Sequence, residues 1–375
     1  MPTARMRLYL DNTPADAAQL AVFGTVRVDQ GIGMATEAQL DLPVGTDDGG
    51  SWQLMEDGFV QPFARIRVEI QVGDGGFVPL VDGPVVAQRF QLDATPERSQ
   101  MTLVVHDDSV LLNRDEAVAV FEDQSPSDIA EQLFGAAGLQ PQVDPVPAAG
   151  GAYERFVVQR GTPMQTLRRL AREHGMVVHV EPGASAGQSV GRFQRRDAQF
   201  TGDEPLPDLV LLGAGRNIGS FQAEFDALRP QAPRAAGQLA SDHSAVTASA
   251  TTAPGTALGA VPAHQAVQPA TTLLLDVREE QADIDAATAA AADLSSWAWT
   301  AQGEVLADSY PGVLRPYRKV TVRGVGGHLS GDYMVSRVAH EFSDGGYRQQ
   351  FALTRNARAA GAQPGPLAGL GAGVF

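Results

Sequence analysis

Alternation of apolar and polar residues marks the first hundred residues as a β region. Within 64–71 the even-numbered residues are apolar and the odd-numbered ones polar, which predicts a strand buried on one face. The glycine-rich turn 73–76 follows it. Further strands are predicted at 85–92 and 101–106, because both ranges are rich in apolar residues and the turn-like segment 94–99 separates them.

A second β region lies near the C-terminus, with strands predicted at 320–322, 333–342 and 347–354. In the first region GPVVAQRFQL is followed by MTLVV, and in the second GDYMVSRVAHEF is followed by RQQFALT in the same layout. This repeat of pattern predicts two related barrels in one chain. The alternative is two unrelated antiparallel meanders that obey the same alternation.

Helices are predicted between the two β regions. One begins at Ser125, a capping residue followed by proline, and another occupies 162–175, between a capping threonine and a terminal glycine. We expect the second helix to lie on one small sheet formed by its flanking strands, 156–159 and 176–180. A third, alanine-rich helix is predicted at 282–294.

Two segments are predicted to lack regular structure. Residues 231–271 are rich in Ala, Thr, Ser, Pro and Gly with little periodicity, which indicates a flexible loop or insertion. Residues 357–375 end in a Gly-Pro-Ala sequence and are predicted to form a flexible C-terminal tail.

Composition and charge exclude several classes of protein. The formal net charge of −16 argues against a protein that grips nucleic acid by its phosphates. The absence of cysteine excludes disulfides, thiolate metal sites and cysteine nucleophiles. Because the N-terminus has no signal-peptide core and no run reaches about 18 apolar residues, we expect a soluble protein that is cytoplasmic while it assembles.

The sequence HDD at His106, Asp107 and Asp108 is the first candidate for chemistry, because adjacent His and Asp can hold a divalent metal in a phosphohydrolase. Such a site needs further ligands on helices, and none follows. A turn in which Asp accepts backbone hydrogen bonds is therefore the favoured interpretation. The pair His340 and Glu341 lacks the second histidine of a zinc-protease motif, since position 344 is Asp344.

Glycines 213, 215 and 219 have the wrong spacing for a dinucleotide-binding loop, and we interpret them as part of a hairpin. His174 and His179 flank a helix end, and we interpret them as surface residues rather than a ligand pair. No catalytic, cofactor-binding or metal-binding residue is therefore assigned, no cofactor is expected, and the chain is predicted not to be an enzyme.

Three stretches, in this order, carry a family resemblance. They are HDDSVLLNRDEAVAVFEDQSPSDIAEQLFGAAGL, YERFVVQRGTPMQTLRRLAREHGMVVHVEPG and SGDYMVSRVAHEFSDGGYRQQFAL. Together they resemble the phage late control D family, the baseplate hub proteins of contractile tails, which are related to the N-terminal part of VgrG proteins. The resemblance covers most of 103–354 and is interrupted at 231–271.

The resemblance implies a mainly β fold with α+β insertions, in which two tube-protein-like β-barrel domains carry small strand-helix-strand units. The implied domains are a first barrel at 1–115, α/β insertion units at 116–205, a second barrel at 206–230 and 272–356, the loop or insertion at 231–271 and the tail at 357–375.

The implied function is that of a structural hub. Members form homotrimers whose six barrels sit under a hexameric tail tube or its initiator protein and present threefold symmetry to a trimeric spike. Other baseplate proteins are further implied partners, and DNA or protein cargo passes through the lumen without specific nucleic-acid binding. We therefore expect the chain to end in the baseplate of a phage tail or injection particle, with no membrane anchor.

VgrG chains continue into a spike, whereas this sequence stops after its last hairpin, so we expect a separate spike chain that lies near residues 356–375. Two alternatives stay open. One is a tail-associated cell-wall hydrolase that uses Asp107 or Asp108. The other is a carbohydrate-binding adhesion module, which needs exposed aromatic platforms, although Trp52, Trp297 and Trp299 are the only tryptophans.

Overall fold

The structure is a computed structural model of the chain, and it describes residues 4–146, 156–196, 205–238, 242–274, 281–306, 309–343 and 346–360. It is mainly β with α+β insertions, as predicted. Its largest feature is one 13-stranded sheet to which both β regions contribute. Asp344, half of the SDGG turn and residues 361–375 of the predicted tail lie outside the described residues. The tail was predicted to begin too early, because Ala357 and Arg358 form a short strand that pairs with Val261 and Pro262.

The first β region forms a unit of strands wrapped around a core of Leu, Ile and Val side chains. Its elements are β1 (Ala4–Leu10), β2 (Thr13–Pro14), helix α1 (Ala17–Ala21), β3 (Val26–Gly31), β4 (Glu37–Val44), β5 (Arg65–Val72), β6 (Val78–Gln91) and β7 (Ser99–His106). Ile66, Val68 and Ile70 point into this core, as the alternation at 64–71 predicts. The opposite face of β5 is buried too, since Arg67 is 2% and Glu69 is 6% exposed, so the prediction of a strand buried on one face alone was wrong. Paired charges can be buried, which the alternation does not indicate.

An α/β insertion follows the first unit. It consists of β8 (Ala117–Glu122), α2 (Pro126–Ala136), β9 (Gln140–Val143), β10 (Phe156–Gly161), α3 (Pro163–His174), β11 (Met176–Pro182) and β12 (Ser189–Arg195). Both helices begin at the predicted capping residues, Ser125 and Thr162, and each start forms a capping box. The Thr162 hydroxyl accepts from the backbone N–H of Gln165, and Gly175 ends α3 in the left-handed conformation at φ 67°.

The strands that flank α3 lie in different sheets, so the prediction of one small sheet beneath it was wrong. Strand β10 pairs with β8, whereas β11 pairs with β12, which in turn pairs with β9. The helix still buries its apolar face, including Leu167 and Leu170, in a core shared by both sheets. Strand periodicity defines a buried face but not the neighbouring strand, which explains the error.

The second β region forms another unit, with an inserted sheet inside it. The elements are β13 (Leu209–Val210), β14 (Ile218–Phe225), β15 (Gln231–Gln238), β16 (Ala245–Ser249), β17 (Val261–Pro262), α4 (Ala263–Ala266), β18 (Ala270–Leu274), α5 (Gln281–Ser296), β19 (Trp299–Val305), β20 (Lys319–Arg323), β21 (Gly331–Ser343), β22 (Gly346–Arg355) and β23 (Ala357–Arg358). Strands β13, β14 and β19 to β22 enclose its core.

The two units share one topology. In the first, the strand order is β1-β5-β6-β7-β4-β3, and in the second it is β13-β20-β21-β22-β19-β14. These strands also follow one another in the same order along the chain. The long strands β6 and β21 even carry a β-bulge at the corresponding place, between Val85 and Ala87 and between Val335 and Arg337. One difference is that β1 pairs antiparallel with β5, whereas β13 pairs parallel with β20.

Residues 231–271 are not a structureless loop, which corrects the prediction. Strands β15, β16 and β18 form a three-stranded sheet there. Helix α5 covers this sheet, and Ile284 packs on Ala235 and Val246. Because the buried side chains are small and few, the sequence shows little apolar periodicity although the segment is folded.

The glycine-rich segment after β13 is also not a hairpin. Strand β13 pairs with β20 and strand β14 pairs with β19, so the two neighbours in sequence do not pair with each other. Asn217 instead closes the loop between them, because its side chain accepts from the Val210 N–H and donates to the Asp208 carbonyl, both at 2.8 Å.

Candidate assembly site at the junction of the two β units

The two units are joined by a backbone ladder. The second half of β21 pairs antiparallel with β3, in a register that runs from Arg337 opposite Gly31 to Phe342 opposite Val26. The other edge of the same half-strand pairs with β22. Because β3 is the terminal strand of the first unit, this pairing makes the two units one continuous sheet.

Two ion pairs lie on the exposed face of the junction. Arg27 Nε donates to Glu341 Oε2 at 2.8 Å, and Arg337 Nε donates to Asp29 Oδ1 at 2.8 Å. The hydrogen bond and charge of Asp29 raise the pKa of Arg337. Exposed pairs of this kind contribute about 0–1 kcal/mol each, so their main effect is to specify the register of the two strands.

A buried polar chain crosses the other face of the junction. His340 Nδ1 lies 2.7 Å from the Tyr347 hydroxyl, and His340 Nε2 lies 3.2 Å from Gln30 Oε1. Gln30 in turn donates to the Leu80 carbonyl at 2.8 Å. Since Gln30 Oε1 can only accept, Nε2 carries the proton and Nδ1 accepts from Tyr347. The chain of hydrogen bonds therefore links β22, β21, β3 and β6 through a neutral imidazole.

Burial determines the protonation states of His340 and Tyr347 in this series of hydrogen bonds. Desolvation lowers the pKa of His340 to about 3, although the charge of Asp29 opposes the change. Burial likewise raises the pKa of the Tyr347 hydroxyl well above its usual value. Both groups are thus neutral at physiological pH, and the junction contains no buried charge that would need a counterion at this point.

A buried ion network fastens the α/β insertion to the first unit. Arg65 donates to Asp82 at 2.7 Å and to both carboxylate oxygens of Asp108, at 2.9 and 2.5 Å. Asp82 also accepts from Arg67 and from the backbone N–H of Gly187 in the insertion, both at 3.0 Å. Although burial opposes it, the pairing with Asp108 raises the pKa of Arg65.

His179 joins the insertion to the second unit. Its ring is buried and stacks on Tyr317, with ring centroids 3.9 Å apart. Tyr317 also accepts from the Gly33 N–H at 2.9 Å, and burial raises its pKa to about 12. The interpretation of His179 as a surface residue was therefore wrong, because the partner ring lies far away in sequence. His174 ends α3 and is half-buried.

The HDD sequence does not converge on one site. His106 contacts Glu37 at 3.2 Å, while Asp107 accepts from two backbone N–H groups at 2.6 and 3.0 Å. Asp108 is occupied by Arg65. The predicted turn, with Asp accepting backbone hydrogen bonds, is confirmed. Burial raises the pKa of Asp107, despite those hydrogen bonds.

The other candidate side chains contact neighbouring strands of the junction. His340 and Glu341 point to opposite faces of β21, one toward Gln30 and the other toward Arg27. Within the residues that the structure describes, no group of three or more His, Asp or Glu is placed to hold a metal. None of the helices described is long and apolar enough to cross a membrane. Trp297 and Trp299 are buried.

Sequence reasoning missed the polar residues that make the junction. Gln30 and Tyr347 are polar side chains at inward-facing positions of otherwise regular strands. A polar residue at an inward position was the available signal, because such a side chain needs a hydrogen-bonding partner when it is buried. The identity of that partner is not encoded locally.

Comparison with known families gives one match, and comparison with solved structures gives many. The family whose description is Alg8 N-terminal domain matches residues 14–344. No curated protein is significantly similar in sequence. The 43 kDa tail protein of prophage MuSo2 from Shewanella oneidensis is 14% identical, with a TM-score of 0.59 over 94% of this chain and 99% of that one.

Two further structures have the same fold. A tail protein from Neisseria meningitidis MC58 is 15% identical, with a TM-score of 0.61 over 94% of this chain and 97% of that one. The E. coli c3393 protein, a component of the type VI secretion system with structural similarity to T4 tail proteins gp27 and gp5, is 9% identical, with a TM-score of 0.53 over 94% and 76%. At these identities the likeness establishes a shared fold.

Proposed function

We propose that this chain, which belongs to the Alg8 N-terminal domain family, is a structural hub in the baseplate of a contractile tail or injection particle. In this role it is a homotrimer that joins a hexameric tail tube to a trimeric spike. The observation that carries the proposal is the repeat of one six-strand topology in a single chain. The resemblance to the late control D family and the shared fold of tail proteins support it.

The proposed mechanism is geometric. Three copies of a chain with two equivalent β units present six similar units to a sixfold tube, while the trimer keeps threefold symmetry toward the spike. We assign the first barrel to 1–115 and the second to 206–230 and 272–356, with the folded segment 231–271 as an insertion in the second. The ladder between β3 and β21 fixes the position of the two units of one chain relative to each other.

We further propose that the hub acts without catalysis. The candidate residues for catalysis include Asp107, Asp108 and His340. Their polar atoms form hydrogen bonds or ion pairs inside the fold. Other baseplate proteins would bind the α/β insertion, which lies outside the two units in sequence. The net charge of −16 suits a lumen through which DNA or acidic cargo passes without sticking.

Native mass measurement tests the proposal. We expect light scattering across a range of protein concentrations to find a species of three chain masses, and negative-stain images of that fraction to show a ring with a central hole. Co-expression with a spike chain from the same gene cluster should yield one complex. A chain that stays monomeric at every concentration, both alone and with the spike, would contradict the hub function.

A further inference from the structure

The repeat assigns equivalent positions to the long strands β6 and β21. After its bulge, β6 pairs with β7 in the same manner as β21 pairs with β22. Counting from the bulges, Arg89 is the equivalent of Ala339, and Phe90 is the equivalent of His340. In β21 this half of the strand also pairs with β3 on its second edge. In β6 the corresponding edge carries no strand among the residues that the structure describes.

The same count gives the equivalent of β3. Ala38 of β4 pairs with Val28 of β3, and Ala301 of β19 pairs with Ala223 of β14. On its other side each alanine pairs with β7 or β22, at positions that are equivalent by the count from the bulges. Strand β14 is therefore the equivalent of β3, and Glu224 is the equivalent of Asp29. In the described part of the chain, β14 pairs with β19 alone, so its outer edge is open.

The chain thus presents two open edges that correspond to the two strands of its own junction. The β6 edge exposes apolar side chains, since Phe90 in the strand and Leu92 directly after it are each 49% exposed. Most of β14 is exposed as well. Open, regular strand edges with apolar residues readily pair with another chain unless they are covered.

We propose that the second half of β6 in one copy pairs antiparallel with β14 of a second copy, in the register that β21 and β3 adopt within the chain. This register places Arg89 opposite Glu224 and Gln91 opposite Gln222. The inference rests on the proposed trimeric hub, and it names the strands and residues that hold the trimer together.

Complementary charge and apolar side chains select a second copy as the occupant. Arg89 meets a carboxylate in this register, as Arg27 meets Glu341 in the internal junction. Leu92 would lie opposite Phe221, so an exposed apolar side chain gains an apolar neighbour. The contact is head-to-tail, with one edge of each kind per chain, and such contacts generate closed rings when the rotation permits.

Disulfide cross-linking tests the register directly, because the chain has no cysteine of its own. Residues directly opposite in an antiparallel pair lie about 4.5–5.5 Å apart at Cα, within disulfide range, whereas residues offset by two lie about 7–8 Å apart. The variant Q91C/Q222C should therefore form cross-linked dimers and trimers on mild oxidation with diamide. The matched control Q91C/E224C, which is offset by two positions, should cross-link at least about tenfold less.

Charge exchange provides a second measurement. Each single reversal, R89E or E224R, places like charges opposite each other at every contact and should weaken trimer formation at least about tenfold. The double variant R89E/E224R should restore it. E131R, a reversal on the exposed face of α2, serves as the control and should leave assembly unchanged.

The outcomes separate the two proposals. A trimer in light scattering whose Q91C/Q222C variant does not cross-link would overturn the strand pairing and leave the hub function standing. A trimer unaffected by either charge reversal would also overturn it. A chain that is monomeric at all concentrations would contradict both proposals together.

Discussion

His340 should make the stability of the two-unit sheet depend on pH. Its imidazole is buried between Gln30 and Tyr347, and burial lowers its pKa to about 3, against about 6.5 in an unfolded chain. Below pH 6.5 the unfolded chain binds a proton that the folded chain does not bind. Stability is therefore complete above pH 6.5 and falls as the pH is lowered toward 3.

The magnitude follows from the two pKa values. Protonation of His340 in the unfolded state lowers the free energy of unfolding by about 2 kcal/mol at pH 5.0 relative to pH 8.0. The loss would reach about 4 kcal/mol near pH 3, where the acidic residues also titrate. Two kcal/mol corresponds to about a 30-fold change in the unfolding equilibrium, which is well within reach of a denaturation experiment.

The assay compares the wild type with His340→Gln. Glutamine can hydrogen-bond but does not ionise, so the variant removes the titration and keeps a polar side chain at the junction. Urea unfolding followed by circular dichroism, at one protein concentration and at pH 8.0 and pH 5.0, gives four unfolding free energies. Asp107, whose pKa is raised by burial, changes stability in the opposite direction but contributes equally to both proteins.

The informative quantity is the stability of the wild type minus that of the variant. We expect this difference to be about 2 kcal/mol smaller at pH 5.0 than at pH 8.0. A difference that stays constant within about 0.5 kcal/mol would show that His340 is not held neutral in the folded protein, and it would refute the buried hydrogen-bond chain.

Two further predictions concern the α/β insertion. Gly191→Ala should destabilise the fold by about 1–3 kcal/mol, because the added Cβ would overlap the Phe134 ring. Gly135→Ala, in the exposed part of α2, has open space and should stabilise the fold by about 0.5–1 kcal/mol. Thermal unfolding of both variants checks this. Asp108→Ala should lower stability by about 1–3 kcal/mol through the lost pairing with Arg65, and zymography on cell wall should show no clearing by either protein; clearing that Asp108→Ala abolishes would favour a hydrolase.

Local sequence was sufficient wherever the determining residues are neighbours in the chain. The capping box at Thr162 and Gln165 and the glycine at 175 fixed the limits of α3, since caps act within one helical turn. Alternation at 64–71 fixed the inward face of β5, because successive side chains of a strand point to opposite sides. The turn at Asp107 was predictable for the same reason.

Which strands become neighbours depends on long-range packing. The period of a strand names its buried face but not its partner, so β10 and β11 entered different sheets although they flank one helix. The sheet within 231–271 was not predicted, because apolar and polar residues do not alternate clearly there. Only a few small side chains of this segment pack beneath α5.

The junction itself shows the limit most clearly. Arg27 and Glu341 are separated by 314 residues, and nothing near either residue specifies the other. Pairs so far apart in sequence must offset a large loop-closure entropy, so they depend on the packing of both units rather than on local preference. Local patterns therefore predict two β units and their inward faces, whereas the ladder that joins the units and the two open edges depend on how the whole chain folds.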